Sequence, residues 1–203
     1  MATKRTPSEA ARRGYHHGNL EAALVAAART LVERDGPAAL SIAEACKLAG
    51  VSTAAPYRHF RDKEDILAHV ARSGFEDLTE RMVEARDRRG SDPGAGEEDA
   101  ATRIARMGKA YVAFALACPG TFALMFGRKP AGPAGDETAG PAGKRCFGVL
   151  IEEVAAVIGR RADEAESEEL AVMLWTFVHG MAGLARDGHF DASRFPVDTE
   201  RLI

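Results

Sequence analysis

Apolar residues recur every three or four positions along almost the whole chain, and no stretch alternates long enough with the period of two that a strand requires. The pattern predicts an all-α protein. Leu20, Leu24, Ala27, Ala28 and Leu31 mark a first helix over about Asn19–Asp35, closed by Gly36-Pro37. Ser41 and Glu44 form an S-x-x-E capping box, and Ile42, Ala45, Cys46 and Ala49 give the short helix behind it one apolar face. Gly50 suits the left-handed conformation that ends such a helix. Val51 plugs the angle, and Ser52 caps a second short helix predicted over about Thr53–His59. Phe60 closes this unit. Asp62 then caps a long helix from Lys63 to about Arg88, with Ile66, Leu67, Val70, Phe75, Leu78 and Met82 facing inward.

The second half continues in the same period. Ser91–Gly96 breaks the long helix, and another is expected over Glu97–Ala117 with Ile104, Met107, Tyr111, Phe114 and Ala115 inward. Pro119 opens a short helix presenting Phe122, Met125 and Phe126. Residues 127–143 are rich in Gly and Pro and are predicted to be an irregular loop. A helix resumes near Lys144, and Asp163 with Glu166 resembles a second capping box for a last long helix to Asp187, ended by Gly188. This layout divides into a basic arm (1–14), a helix-turn-helix unit (15–75) and a helical unit (76–203), the last being the candidate for ligand binding and dimerisation. The helix from Lys63 belongs to both of the latter two.

Two short helices joined at a glycine turn are the unit that lays one helix into the major groove of DNA. Thr53 and Ala54, at the start of the second, are small enough to let the backbone approach base edges. Tyr57, His59 and Arg58 carry donors for phosphates, and Arg58 also for a guanine edge. Lys63 lies at a helix N-terminus, where free N–H groups favour a phosphate. Pro56 falls in the first turn and removes at most one intrahelical bond.

The stretch YHHGNL at Tyr15–Leu20 and the run APYRHF at Ala55–Phe60, followed by DKE, resemble the DNA-binding domain of the tetracycline-repressor (TetR) family of transcription regulators. The W-x-x-x-H-G pattern at Trp175, His179 and Gly180 is similar to the signature of one class of C-terminal domain in that family. The resemblance implies a homodimeric repressor on a palindromic DNA operator. It makes Ser41, Tyr57, His59 and Lys63 phosphate contacts, places Thr53, Ala54 and Arg58 near bases, and adds Tyr15 to the DNA-binding set. Family members usually carry a substantial ninth helix; after Pro196 this chain has only VDTERLI, so that helix is expected to be short or missing.

Charge changes the picture little. The net charge of −3 alone argues against nucleic acid, but residues 1–65 carry +2 and residues 66–203 carry −5. Lys4, Arg5, Arg12 and Arg13 suit an arm that engages phosphates or the minor groove, or simply a solvated tail. No apolar run reaches the ~20 residues of a membrane span, and the N-terminus lacks the apolar region of a secretory signal. Cys46, Cys118 and Cys146 are too far apart for a disulfide framework or a zinc knuckle, so a cytoplasmic protein without metal or cofactor is expected. Cys46 fits a small-residue slot between the short helices.

A small-molecule effector is expected among the C-terminal helices. Met82, Met107, Tyr111, Phe114, Phe122, Met125, Phe147, Trp175 and His179 are the bulky or adaptable side chains available for an apolar or weakly polar ligand, although core packing alone would also account for each. Leu170, Leu174, Phe177, Val178, Met181 and Leu184 make the last helix apolar beyond the needs of one core face, which marks it as the dimer surface. An enzyme is not indicated: there is no Gly-rich phosphate loop after a strand and no H-E-x-x-H, and the acidic cluster at residues 163–169 lies at a helix start. The other rival is a helical binding protein whose helix-turn-helix no longer reads DNA.

Overall fold

The computed structural model describes residues 18–88, 99–127, 139–159 and 164–190. Seven α-helices and no strand make up these residues: α1 Gly18–Asp35, α2 Ile42–Ala49, α3 Lys63–Asp87, α4 Ala100–Ala117, α5 Pro119–Phe126, α6 Gly140–Ile158 and α7 Glu164–Arg186. The basic arm, Tyr15, the break at Ser91–Gly96, the Asp163 cap and the segment after Phe190 lie outside the described residues.

Helix boundaries follow their caps. Ser41 Oγ accepts from Glu44 N, but Glu44 does not reach back to complete the capping box; its carboxylate takes Arg34 Nη2 at 2.8 Å instead. Gly50 closes α2 in the left-handed conformation, φ 70°. Asp62 Oδ1 accepts from Asp65 N at 2.8 Å and starts α3. Asp99 does the same for α4 through Thr102 N, so that helix begins three residues later than Glu97. The predicted loop ends earlier than expected: Gly140–Gly143 already form the first turn of α6, because Pro141 sits where a helix needs no amide donor.

The second helix of the reading unit is shorter than predicted. In place of a helix over Thr53–His59 there is a turn at Thr53-Ala54 and one 3-10 turn, Pro56–Arg58. Pro56 has no N–H to close an α-helical ring on Ser52, whose carbonyl instead accepts from Ala55 N at 3.0 Å. Too few residues then remain before Phe60 to propagate an α-helix.

Two apolar clusters form along α3. The first joins Leu24, Ala28, Leu31 and Val32 of α1 to Cys46 of α2, Phe60, and Ile66 and Val70 of α3. The second begins at Phe75 and Leu78 and gathers α4 to α7. Arg106 donates to the carbonyls of Ala85 and Arg86 and so satisfies the C-terminal end of α3. Helix α5 adds a further tie. Glu33 of α1 accepts from Gly120 N at 2.9 Å and Thr121 N at 2.8 Å, capping α5 from outside it. Gly120 lies so close to the Val32 carbonyl that a Cβ would collide with it. Beside this contact Asp77 bridges Arg29 at 2.6 Å and Arg81 at 2.7 Å. Burial pushes the Asp77 carboxyl up, but the two arginines outweigh it and hold it below the ordinary carboxylate value.

Glu33→Ala is expected to cost about 1–2 kcal/mol, the typical loss of a helix cap. That corresponds to a melting temperature lower by roughly 2–8 °C for a chain of this size. Thermal unfolding followed by circular dichroism checks it; an unchanged melt would show that the α5 amides need no partner from α1.

Candidate DNA-reading unit and ligand cavity

The segment between α2 and α3 is held from below and open above. Pro56 and Phe60 are buried; the Phe60 ring meets His69 edge-on with centroids 5.0 Å apart. Thr53, Ala54, Tyr57, Arg58 and His59 are all exposed, with Tyr57 at 66%. Five of the candidate DNA contacts therefore share one open surface. Ser41 is exposed but its Oγ is engaged as the α2 cap. Lys63 is half-buried and donates from Nζ to the Ala38 carbonyl at 2.7 Å, pinning the Pro37–Ala39 turn to the start of α3. Its ammonium keeps two further donors.

The C-terminal cluster encloses a cavity of about 790 Å³, within the range of ligand pockets. Met82, Met107, Tyr111, Phe147 and Trp175 line it, as five of the nine expected ligand residues. Phe114, Phe122, Met125 and His179 are not on the lining. Phe114 and Phe122 are buried in the core behind it, and Met125 packs on Gly74 of α3. Phe75, Ile104, Phe126, Leu150 and Val154 line the cavity although no sequence signal separated them from ordinary core. So does Lys144, the only Asp, Glu, Lys, Arg or His among the described lining residues.

His179 serves the cavity wall from behind. Tyr111 Oη lies 2.8 Å from His179 Nδ1 and accepts from Trp175 Nε1 at 3.3 Å. Burial, with the Arg186 charge second, lowers the His179 pKa and favours the neutral ring. The tautomer protonated at Nε2 is assigned because it alone gives the phenol hydrogen a partner, Nδ1. Burial raises the Tyr111 pKa, only partly offset by the Trp175 N–H, so the phenol stays protonated. The W-x-x-x-H-G pattern thus places Trp and His one helical turn apart, where both reach one phenol.

Helix α7 is apolar on two sides. Leu170, Leu174 and Val178 line the cavity, and Met181, only 6% exposed, lies in the core. Met181 is thus corrected from a surface position to an interior one: at eleven residues from Leu170 it shares the inner stripe. Phe177, 54% exposed, is on the cavity rim and also faces outward, and Leu184 is exposed. Met173, 68% exposed, belongs to this outer face and was missed, because methionine at one position of an apolar helix carries no directional signal.

Among the described residues no three His, Cys, Asp or Glu converge as a metal site, and no single helix is long and apolar enough to cross a membrane. Helices α4 and α5 together pass that test of length and composition, but they bend by 108° and contribute Met107, Tyr111, Phe114 and Phe122 to the core.

Two family models match the chain: bacterial regulatory proteins of the tetR family over residues 24–70, and the tetracyclin repressor-like C-terminal domain over residues 104–203. A search of curated proteins finds no match. Among solved structures, a protein of unknown function from Rhodococcus sp. RHA1 is 32% identical with a TM-score of 0.73, over 94% of this chain and 92% of that one. A tetR-family transcriptional regulator from Streptomyces coelicolor is 20% identical with a TM-score of 0.68, over 92% of this chain and 76% of that one. The transcriptional regulator FadR from Bacillus subtilis, in complex with stearoyl-CoA, is 14% identical with a TM-score of 0.57, over 87% and 99%. The last two likenesses concern the fold. With an exposed reading segment on one end of α3, a cavity on the other, and family models on both halves, the chain belongs to the TetR family of transcriptional regulators.

Proposed function

We propose that the protein is a homodimeric repressor that binds a palindromic operator and is released by a small, largely apolar ligand held in the C-terminal cavity. The observation that carries this reading is that one helix serves both sites: Asp65, Ile66 and Val70 of α3 support the reading segment, and Phe75 and Met82 line the cavity. In a dimer the two reading segments must span about one DNA turn, ~34–36 Å. A ligand that tilts α3 alters that separation. Helix α5 supplies a second route, because Phe126 lines the cavity while the other end of α5 is capped by Glu33 of α1. Release requires a ligand that prefers the DNA-incompetent arrangement, and each ~1.4 kcal/mol of preference is tenfold in operator affinity.

The outer face of α7 supports the dimer, since Met173, Phe177 and Leu184 are exposed side by side with Gly180, around which a partner helix has room. The cavity supports binding rather than turnover: its described lining holds no carboxylate, and burial raises both Tyr111 and Cys146 away from reactivity. FadR, solved with stearoyl-CoA, shows that a related fold accommodates a ligand with a long apolar part. In this reading the protein works where its operator is, in the cytoplasm.

Selection of genomic fragments with the purified protein is expected to return a palindrome, bound with steep salt dependence. On that site Tyr57→Ala and Arg58→Ala should each weaken binding by roughly 5- to 100-fold with the fold intact. Lys63→Ala should also lower the salt slope by about 1. Recovery of nothing beyond weak non-specific binding would favour the ligand-binding protein that no longer reads DNA. Met173→Glu, at an exposed position, should convert the dimer to a monomer by light scattering; a variant that remains dimeric would move the interface away from α7.

A further inference from the structure

We propose that the cavity takes an amphipathic monoanion, a carboxylate head on an extended apolar body, with Lys144 holding the head at the rim. The proposal rests on reading this cavity as the effector site. Lys144 stands in the second turn of α6, next to Gly143, whose missing side chain lets the Phe75 ring approach to 3.4 Å of where a Cβ would stand. It is exposed, whereas Val154 and Met107 in the wall are only 0% and 1% exposed. The described lining therefore runs from one exposed cation into a buried apolar interior.

Charge bookkeeping around the cavity singles out this lysine. The neighbouring cations are matched: Arg145 lies 3.8 Å from Glu76, Arg103 lies 2.8 Å from Glu153, and Arg86 pairs with Asp87 at 2.7 Å. Lys144 has no carboxylate partner among the described residues, and no Asp or Glu is among the described residues of the lining. The Tyr111 phenol of the wall is already engaged, since its Oη meets both Trp175 Nε1 and His179 Nδ1. A carboxylate placed deep would have to break that network, because the hydrogens on Tyr111 Oη and Trp175 Nε1 are both taken. A cationic head at the rim would meet Lys144 with no carboxylate among the described lining residues. An anionic head at the rim gains a charge-assisted hydrogen bond at the edge of a low-dielectric region, while the lysine stem flanks the apolar body.

Trp175 is the only tryptophan of the chain and lines the cavity, so its fluorescence reports occupancy. The full-length protein is titrated with dodecanoate, dodecanol and dodecyltrimethylammonium below their micellar concentrations, with calorimetry in parallel. Dodecanoate is expected to bind at least about tenfold more tightly than the other two, the worth of one charge-assisted contact. Lys144→Met should remove that preference by weakening dodecanoate alone, and Lys144→Arg should retain it. Position 144 is exposed, and an unchanged melting temperature in both variants excludes misfolding. Equal or tighter binding of the alcohol or the ammonium, or a preference that survives Lys144→Met, overturns the anionic head while leaving an apolar cavity. No response to any of the three overturns the cavity's ligand class altogether. Lysine-dependent dodecanoate binding that leaves operator affinity unchanged would uphold the ligand class and overturn the effector reading instead.

Discussion

Glu33 sits near the C-terminal end of α1, yet its two carboxylate oxygens receive the first free amides of α5, 87 and 88 residues further along the chain. Helix N-termini leave unpaired N–H groups that must find acceptors. Taking the acceptor from another helix makes the position of α5 depend on α1. Gly120 tightens the dependence, because its backbone lies flush against the Val32 carbonyl with no room for a side chain. The opposite flank of α5 packs on side chains: a Cβ at Gly74 of α3 would lie 2.6 Å from both Met125 and Thr121. Helix α5 is thus packed against both α1 and α3. Its last residue, Phe126, is on the cavity wall.

The same close packing sets what the cavity can be. Phe126 meets His179, Phe122 and Phe75 with ring centroids 4.8, 4.9 and 5.4 Å apart, and Trp175 reaches across to Phe147 at 6.0 Å. Aromatic side chains in edge-to-face contact form a stiff wall with defined geometry. One polar network, Tyr111 with Trp175 and His179, pairs the buried phenol on both sides and so ties α4 to α7 across the wall. The softer part is the α6–α7 side, where Val157, Val172 and Phe177 are half-exposed while also lining the cavity. That side coincides with the outer face of α7.

Sequence patterns were informative where the determinant is local. The α3 start was legible from Asp62, the α2 stop from Gly50, and the all-helical class from a period that repeats without a strand-like rival. Misplaced features have non-local or competing causes. Glu44 was expected to complete a capping box, but Arg34, ten residues away, offers a charged partner that a backbone amide does not match. Pro56 was expected to cost one bond, but its missing donor is the one that a short helix from Thr53 would need. Four of the nine expected cavity residues are elsewhere because periodicity says that a face is buried, not whether it looks onto packed neighbours or onto empty space. Met181 shows the same ambiguity: α7 carries two apolar stripes, and only the tertiary arrangement tells which one faces inward.

Helix α3 runs unbroken from the reading segment to the cavity. A helix of 25 residues spans about 37 Å at 1.5 Å per residue. Its N-terminal turns are locked to α1 and the Pro37–Ala39 turn through Ile66, Val70 and Lys63, and its C-terminal carbonyls are held by Arg106 of α4. A lever clamped at both ends passes on a displacement only if the clamps are rigid bodies. The reading segment meets that requirement by using a bound proline and a buried phenylalanine rather than a freestanding helix. A long recognition helix would find its own orientation partly through its own hydrogen bonds. A single 3-10 turn anchored by Pro56 and Phe60 must follow the surface beneath it, so its placement on DNA is set by α1 and α3, the same two helices that α5 joins to the cavity.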